Sequence, residues 1–318
     1  MRKAFLCLLL VVISLAGCVQ PKHDGANTRL TPQDDPRLHY EQGQAFARSK
    51  HFDEALAEFR KAGEAGYAPA QTLLGFMYAN GHGVSKDYVQ AAEWYRKAAA
   101  QGYAEAQSNL GSMYVSGSGM PRDYAQAVKW FRKAAEQGDT GAQSNLGSMY
   151  QNGRGVPQDY AQAVELYRKA AEQGNPGGQS NLAAMYDNGR GVPKDAAQAA
   201  KWYRKAAEQG FFPAQDNLGF MYLQGRGVPQ DDVQAAQWFR RAADLGDASA
   251  QNSLAFMYGT GRGVPKDDVL AAQWCRKAAE QGLAEAQHNL GQMYEKGLGV
   301  PKDATQAAEW YRKAAQKR

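Results

Sequence analysis

Chemistry in this 318-residue chain would have to come from few side chains. There are three cysteines, Cys7, Cys18 and Cys275, and five histidines, His23, His39, His51, His82 and His288. None has the C-x-x-C or H-x-x-x-H spacing that puts two donors on one metal ion, so no metal or other cofactor is expected. The histidines sit in unrelated segments, so a serine nucleophile with a histidine base has no candidate and the chain reads as a non-enzyme. Other polar residues recur in patterns that suit binding. Asn109, Asn145, Asn181, Asn217 and Asn289 each precede a leucine and are spaced by multiples of 36. An amide carries both donor and acceptor, so such a row can pair with an extended peptide backbone, or can tie neighbouring helices together. Both readings stay open, and Leu73 and Ser253 break the row.

Two further sets vary between rows. Phe76, Phe220 and Phe256 lie two residues after that leucine, where other rows have Ser, Ala or Gln. They read either as apolar anchors for a partner or as side chains half-buried against the next hairpin. Arg154, Arg190, Arg226 and Arg262 lie between paired glycines, a ladder that would suit an anionic partner, or that is simply solvated and locally paired.

What positions these residues is a period of 36. From Tyr67 to the end, seven rows align without insertion, and self-similarity of this kind marks a solenoid. Ala70, Leu74, Met77 and Tyr78 fall at i, i+4, i+7 and i+8, the buried stripe of a first helix that Gly81 and Gly83 end. Asp87, Asp123, Asp159, Asp195, Asp231, Asp267 and Asp303 are placed to cap a second helix. Ala91, Trp94, Tyr95 and Ala98 form its apolar face, with Arg96 and Lys97 outside. Gly75, Gly111, Gly147, Gly219 and Gly291 sit inside the first helix, each at a cost of roughly 1 kcal/mol relative to alanine. The recurrence predicts a close approach of the paired helix.

The run Ala-x-x-x-Leu-Gly-x-Met-Tyr, then Gly-x-Gly-Val-Pro-x-Asp, then Ala-x-x-Trp-Tyr-Arg-Lys-Ala-Ala, resembles the Sel-one-like repeat (SLR) family, a branch of the tetratricopeptide-like solenoids. The resemblance covers residues 67–318 as seven repeats, and residues 37–66 look like one more, tetratricopeptide-like hairpin. It implies an all-α fold, a right-handed α-solenoid of sixteen helices, in which the asparagine row faces a concave, ligand-binding groove. It also implies binding of proteins. Cysteine-rich members assigned β-lactamase activity carry a cysteine pair in each repeat; those pairs are missing here, so that activity does not carry over.

At the other end, Arg2 and Lys3 precede a thirteen-residue apolar run, Ala4 to Ala16, too short to span a bilayer. Leu15-Ala16-Gly17-Cys18 resembles the lipobox of bacterial lipoproteins, which implies removal of residues 1–17 and lipidation of Cys18. Val19 after it implies sorting to the outer membrane, facing the periplasm. Residues 18–36, rich in Pro, Asp and Gln, read as a flexible tether of about 23 Å r.m.s. span. With 44% hydrophobic and 22% charged residues the chain can bury a core, and a net charge of +5 makes no case for nucleic acid. The expected function is therefore a membrane-anchored interaction scaffold in the cell envelope that takes a peptide or protein and no small-molecule substrate. An inhibitor or immunity-type protein capturing a toxin or enzyme is the first alternative, and a β-lactamase-like or cell-wall hydrolase the second.

Overall fold

The computed structural model describes residues 35–316; the leader, Cys18 and the tether up to residue 34 lie outside the described residues. Asp35 and Pro36 belong to the fold, because the Asp35 carboxylate accepts from the Arg37 backbone N–H and Pro36 starts the first helix. Among the described residues there are sixteen α-helices and no strand. Two compact units divide at Gln158 and Asp159. The first holds α1 (Pro36–Arg48), α2 (Phe52–Glu64), α3 (Ala68–Asn80), α4 (Tyr88–Ala100), α5 (Ala104–Ser116), α6 (Tyr124–Glu136) and α7 (Thr140–Asn152). The second holds α8 (Tyr160–Glu172), α9 (Pro176–Asn188), α10 (Ala196–Glu208), α11 (Phe212–Gln224), α12 (Asp232–Asp244), α13 (Ala248–Thr260), α14 (Asp268–Glu280), α15 (Ala284–Lys296) and α16 (Ala304–Ala315). Each unit is a stack of helical hairpins in which a helix packs on its sequence neighbours, the architecture of an α-solenoid.

The local causes match the pattern in the chain. Asp87 is extended and its side chain accepts from the N–H groups of Val89 and Gln90 at 2.8 and 3.0 Å. Equivalent aspartates start the second helix of every later repeat. The first helices end at a left-handed glycine, as at Gly81 with φ 75°. The loop then closes as the Asp87 N–H donates to the Tyr78 carbonyl at 2.9 Å, and the second-helix cap is thereby held against the end of the first helix.

The helix-interior glycines do answer to a close approach, and what approaches is an aromatic ring. A Cβ at Gly75 would lie 2.7 Å from the Tyr95 ring, and at Gly111 or Gly219 equally close to Phe131 or Phe239. Where Ala255 stands in this column, the ring position is occupied by Cys275. The larger residue at 255 is thus matched by a smaller one on its partner, whereas Ala183 in the same column keeps Tyr203 at the ring position.

Successive hairpins are joined by two side-chain devices. The arginine expected on the outside is exposed, but reaches the tyrosine of the next repeat: Arg60 donates to the Tyr78 hydroxyl at 2.9 Å, Arg132 to Tyr150 at 3.1 Å and Arg204 to Tyr222 at 2.6 Å. The second device is a buried glutamine. Gln71, Gln107, Gln179 and Gln251 each donate Nε2 to a carbonyl eight residues earlier. Their Oε1 accepts from Gln101, Gln137, Gln209 and Gln281 at 2.8 to 2.9 Å, residues that end the next second helix. Leu245 stands where that outer glutamine belongs, and Gln215 Oε1 is left buried without a partner.

Candidate functional site

The asparagines lie on first helices and do not behave alike. In the first unit Asn109 is half-buried and Asn145 exposed. In the second, Asn217 is exposed and turns its amide back to the Pro213 carbonyl at 2.8 Å, while Asn181 is half-buried. Asn289 donates to Asn252 Oδ1 at 3.1 Å on the preceding first helix. The stacking role therefore applies at Asn289. Asn145 and Asn217 keep polar surface toward solvent.

The three phenylalanines divide as well. Phe76 is half-buried beside Phe52, Phe59 and Leu73, with its ring 5.8 Å from that of His82. Phe220 meets Phe239 edge to face at 5.0 Å. Only Phe256 stands out, with 48% of its surface exposed. Each arginine of the ladder reaches back to an earlier turn of chain. Arg154 and Arg190 lie over the Tyr124 and Tyr160 rings at 5.7 and 5.8 Å. Arg262 grips Asp232 with Nε and Nη2 at 2.9 and 2.7 Å, and holds its carboxyl below the usual carboxylate range. Where Ala196 offers no such partner, Arg226 pairs with Asp187 at 3.0 Å. Local partners thus engage the whole ladder.

Acidic groups complete the first-helix face, and they escaped the pattern reading because Asp216 is alone in its column and Glu105 recurs there only as Glu285. Asp216, one residue before Asn217, accepts from the Ser249 hydroxyl, leaves Oδ1 buried without a hydrogen bond, and is raised to about 6 by burial. In the first unit burial and the nearby Asp139 raise Glu105 to about 7. Asp216 interacts with Ser249 and Asp247, and Glu105 with Asp139. Cys275 is poorly suited to chemistry: it is buried, its Sγ donates to the Ala286 carbonyl at 3.3 Å, and burial pushes its thiol up to about 12. No three His, Cys, Asp or Glu side chains among the described residues are grouped to hold a metal ion. The arrangement offers surfaces for contact, made of amide, aromatic and carboxyl groups on successive first helices.

A family model described as Sel1 repeat matches residues 68–103, 104–139, 140–175, 176–211, 213–247, 248–283 and 284–318. No curated protein matches the chain significantly. Among solved structures, c5321, a protective antigen present in uropathogenic Escherichia coli strains and displaying an SLR fold, is 39% identical with a TM-score of 0.72. That alignment covers 97% of this chain and 64% of the antigen, so the chain spans less than two thirds of that protein's length. A Sel1 repeat protein from Oxalobacter formigenes is 34% identical with a TM-score of 0.69, covering 76% of this chain and 96% of that one. The immunity protein PA5088 from Pseudomonas aeruginosa, at 25% identity and a TM-score of 0.48 over 67% of this chain and 82% of its own, is too distant a superposition to bear on function.

Proposed function

The chain belongs to the Sel1 repeat family, and from that premise we propose that it is a non-enzymatic scaffold holding a protein segment on its first-helix face, anchored to the cell envelope through lipid on Cys18. The Sel1 repeat fold is typical of protein–protein interaction scaffolds. The observation that supports this reading most is the exposure of Phe256 and Asn217 on successive first helices. Aromatic side chains are enriched in protein interfaces. Asn217→Ala with Phe256→Ala should leave the melting temperature within about 2 °C, since neither side chain is buried, and should weaken a partner about tenfold or more. The measurement is affinity capture from envelope extracts by the parent protein and the double variant, with both melts. Equal retention of every captured protein would refute the assignment of this face.

The anchor rests on Arg2, Lys3, the apolar run and the box ending in Cys18; Val19 after it supports an outer-membrane position facing the periplasm. Metabolic acyl-chain labelling should mark the parent chain and be lost, with membrane retention, in Cys18→Ser. Labelling that persists in that variant rules the anchor out.

A further inference from the structure

A cleft of about 380 Å³ opens in the first unit between α6 and the turn that follows α7. Ala125, Val128 and Val156 give it an apolar lining, and Lys129, Arg132 and Lys133 a cationic one. The lysines form a like-charged pair one turn apart, which is unfavourable on a helix. Three other repeats carry a glutamate in the Lys129 column, and two of them close an ion pair there, Glu165 with Lys169 at 2.7 Å and Glu309 with Lys313 at 2.8 Å. Arg132 and Lys133 are held in place before any ligand arrives, Arg132 by the Tyr150 hydroxyl at 3.1 Å and Lys133 over the Trp130 ring at 4.8 Å. Their guanidinium and ammonium retain donors for a further partner. A cavity of this size accommodates a few residues of chain.

We propose that this cleft binds an acidic peptide segment, one or two carboxylates pairing with Lys129 and Arg132 while a small aliphatic side chain lies against Val128 and Val156. The mixed lining favours a peptide over a dense polyanion, because a phosphate chain has nothing to place on the valines. The site lies on a second helix and does not depend on the first-helix face.

The test is fluorescence anisotropy of a labelled Gly-Glu-Val-Glu-Gly peptide at low salt, with its Gly-Gln-Val-Gln-Gly counterpart as control. Lys129→Glu should weaken binding about tenfold, and its melting temperature should hold or rise because the variant closes the Glu–Lys pair seen in two other repeats. Lys302→Glu makes the same charge change at an exposed residue before α16 and should leave binding within about twofold. The proposal is overturned if the parent protein does not bind the acidic peptide, if the glutamine peptide binds as well, or if both lysine variants lose binding equally. Displacement by inorganic tripolyphosphate as effective as by unlabelled peptide would overturn it in favour of a general polyanion site.

Discussion

Gly263→Ala should destabilise the protein by about 2–5 kcal/mol, well beyond the effect of Gly246→Ala in the same unit. Both glycines have positive φ, 65° at Gly263 and 98° at Gly246, so a side chain brings backbone strain of roughly 1–2 kcal/mol at either. They differ in what surrounds them. A Cβ on Gly246 meets nothing within 4 Å, whereas one on Gly263 would lie 2.8 Å from the Val233 nitrogen and closer still to the Asp232 carbonyl. Those atoms belong to the first turn of α12 in the preceding repeat, which the Arg262–Asp232 pair clamps to the same turn. The main chain cannot rotate aside as a side chain can, so relief requires the hairpins to separate, at roughly 1–3 kcal/mol more. Urea unfolding of both variants, with hydrogen exchange at the start of α12, checks this. Equal losses for Gly263→Ala and Gly246→Ala would show that the loop does not bear on the neighbouring helix.

Leu245→Gln should raise stability by about 1–2 kcal/mol, an unusual sign for a single substitution. Gln215 donates Nε2 to the Ala207 carbonyl at 3.0 Å, which fixes its amide orientation and leaves Oε1 as an unfilled acceptor. In other repeats that acceptor takes an N–H from the outer glutamine, as Gln179 does from Gln209 at 2.8 Å. Leu245 supplies no donor and leaves 59% of its own apolar surface in water. A glutamine there fills the buried acceptor and removes little favourable packing. The gain should disappear in a Gln215→Leu background, where no acceptor remains. A stabilisation that survives in that background would mean that the leucine's exposure, and not the stranded oxygen, was responsible.

Much of the architecture is determined by the chain read on its own. The Asp87-type caps, the Gly81-type glycines that end the first helices and the Leu74-type stripe each act within a few residues, through backbone hydrogen bonds and side-chain spacing that can be read without the neighbouring hairpin, and the 36-residue period repeats them. The interior glycines likewise announce a close approach, because a locally unfavourable residue repeated in one column needs a tertiary cause. Which partner makes the approach is a different matter. The ring of Tyr95 over Gly75, the reach of Arg60 to Tyr78 and the Gln71–Gln101 bond join residues 18 to 30 positions apart, and the Gln71-type glutamines are buried fasteners that no local pattern marks. Exposure decides the candidate site in the same way. Phe220 and Phe256 share a column, yet the first packs on Phe239 and the second faces water, and the arginine ladder, for which the sequence leaves an anionic edge and local pairing both open, is taken up by tyrosine rings and aspartates of earlier turns. Residue type and spacing determine which hairpin forms. Only the packing of one hairpin on the next determines which side chains are left for a partner, because desolvation depends on neighbours that are distant in sequence.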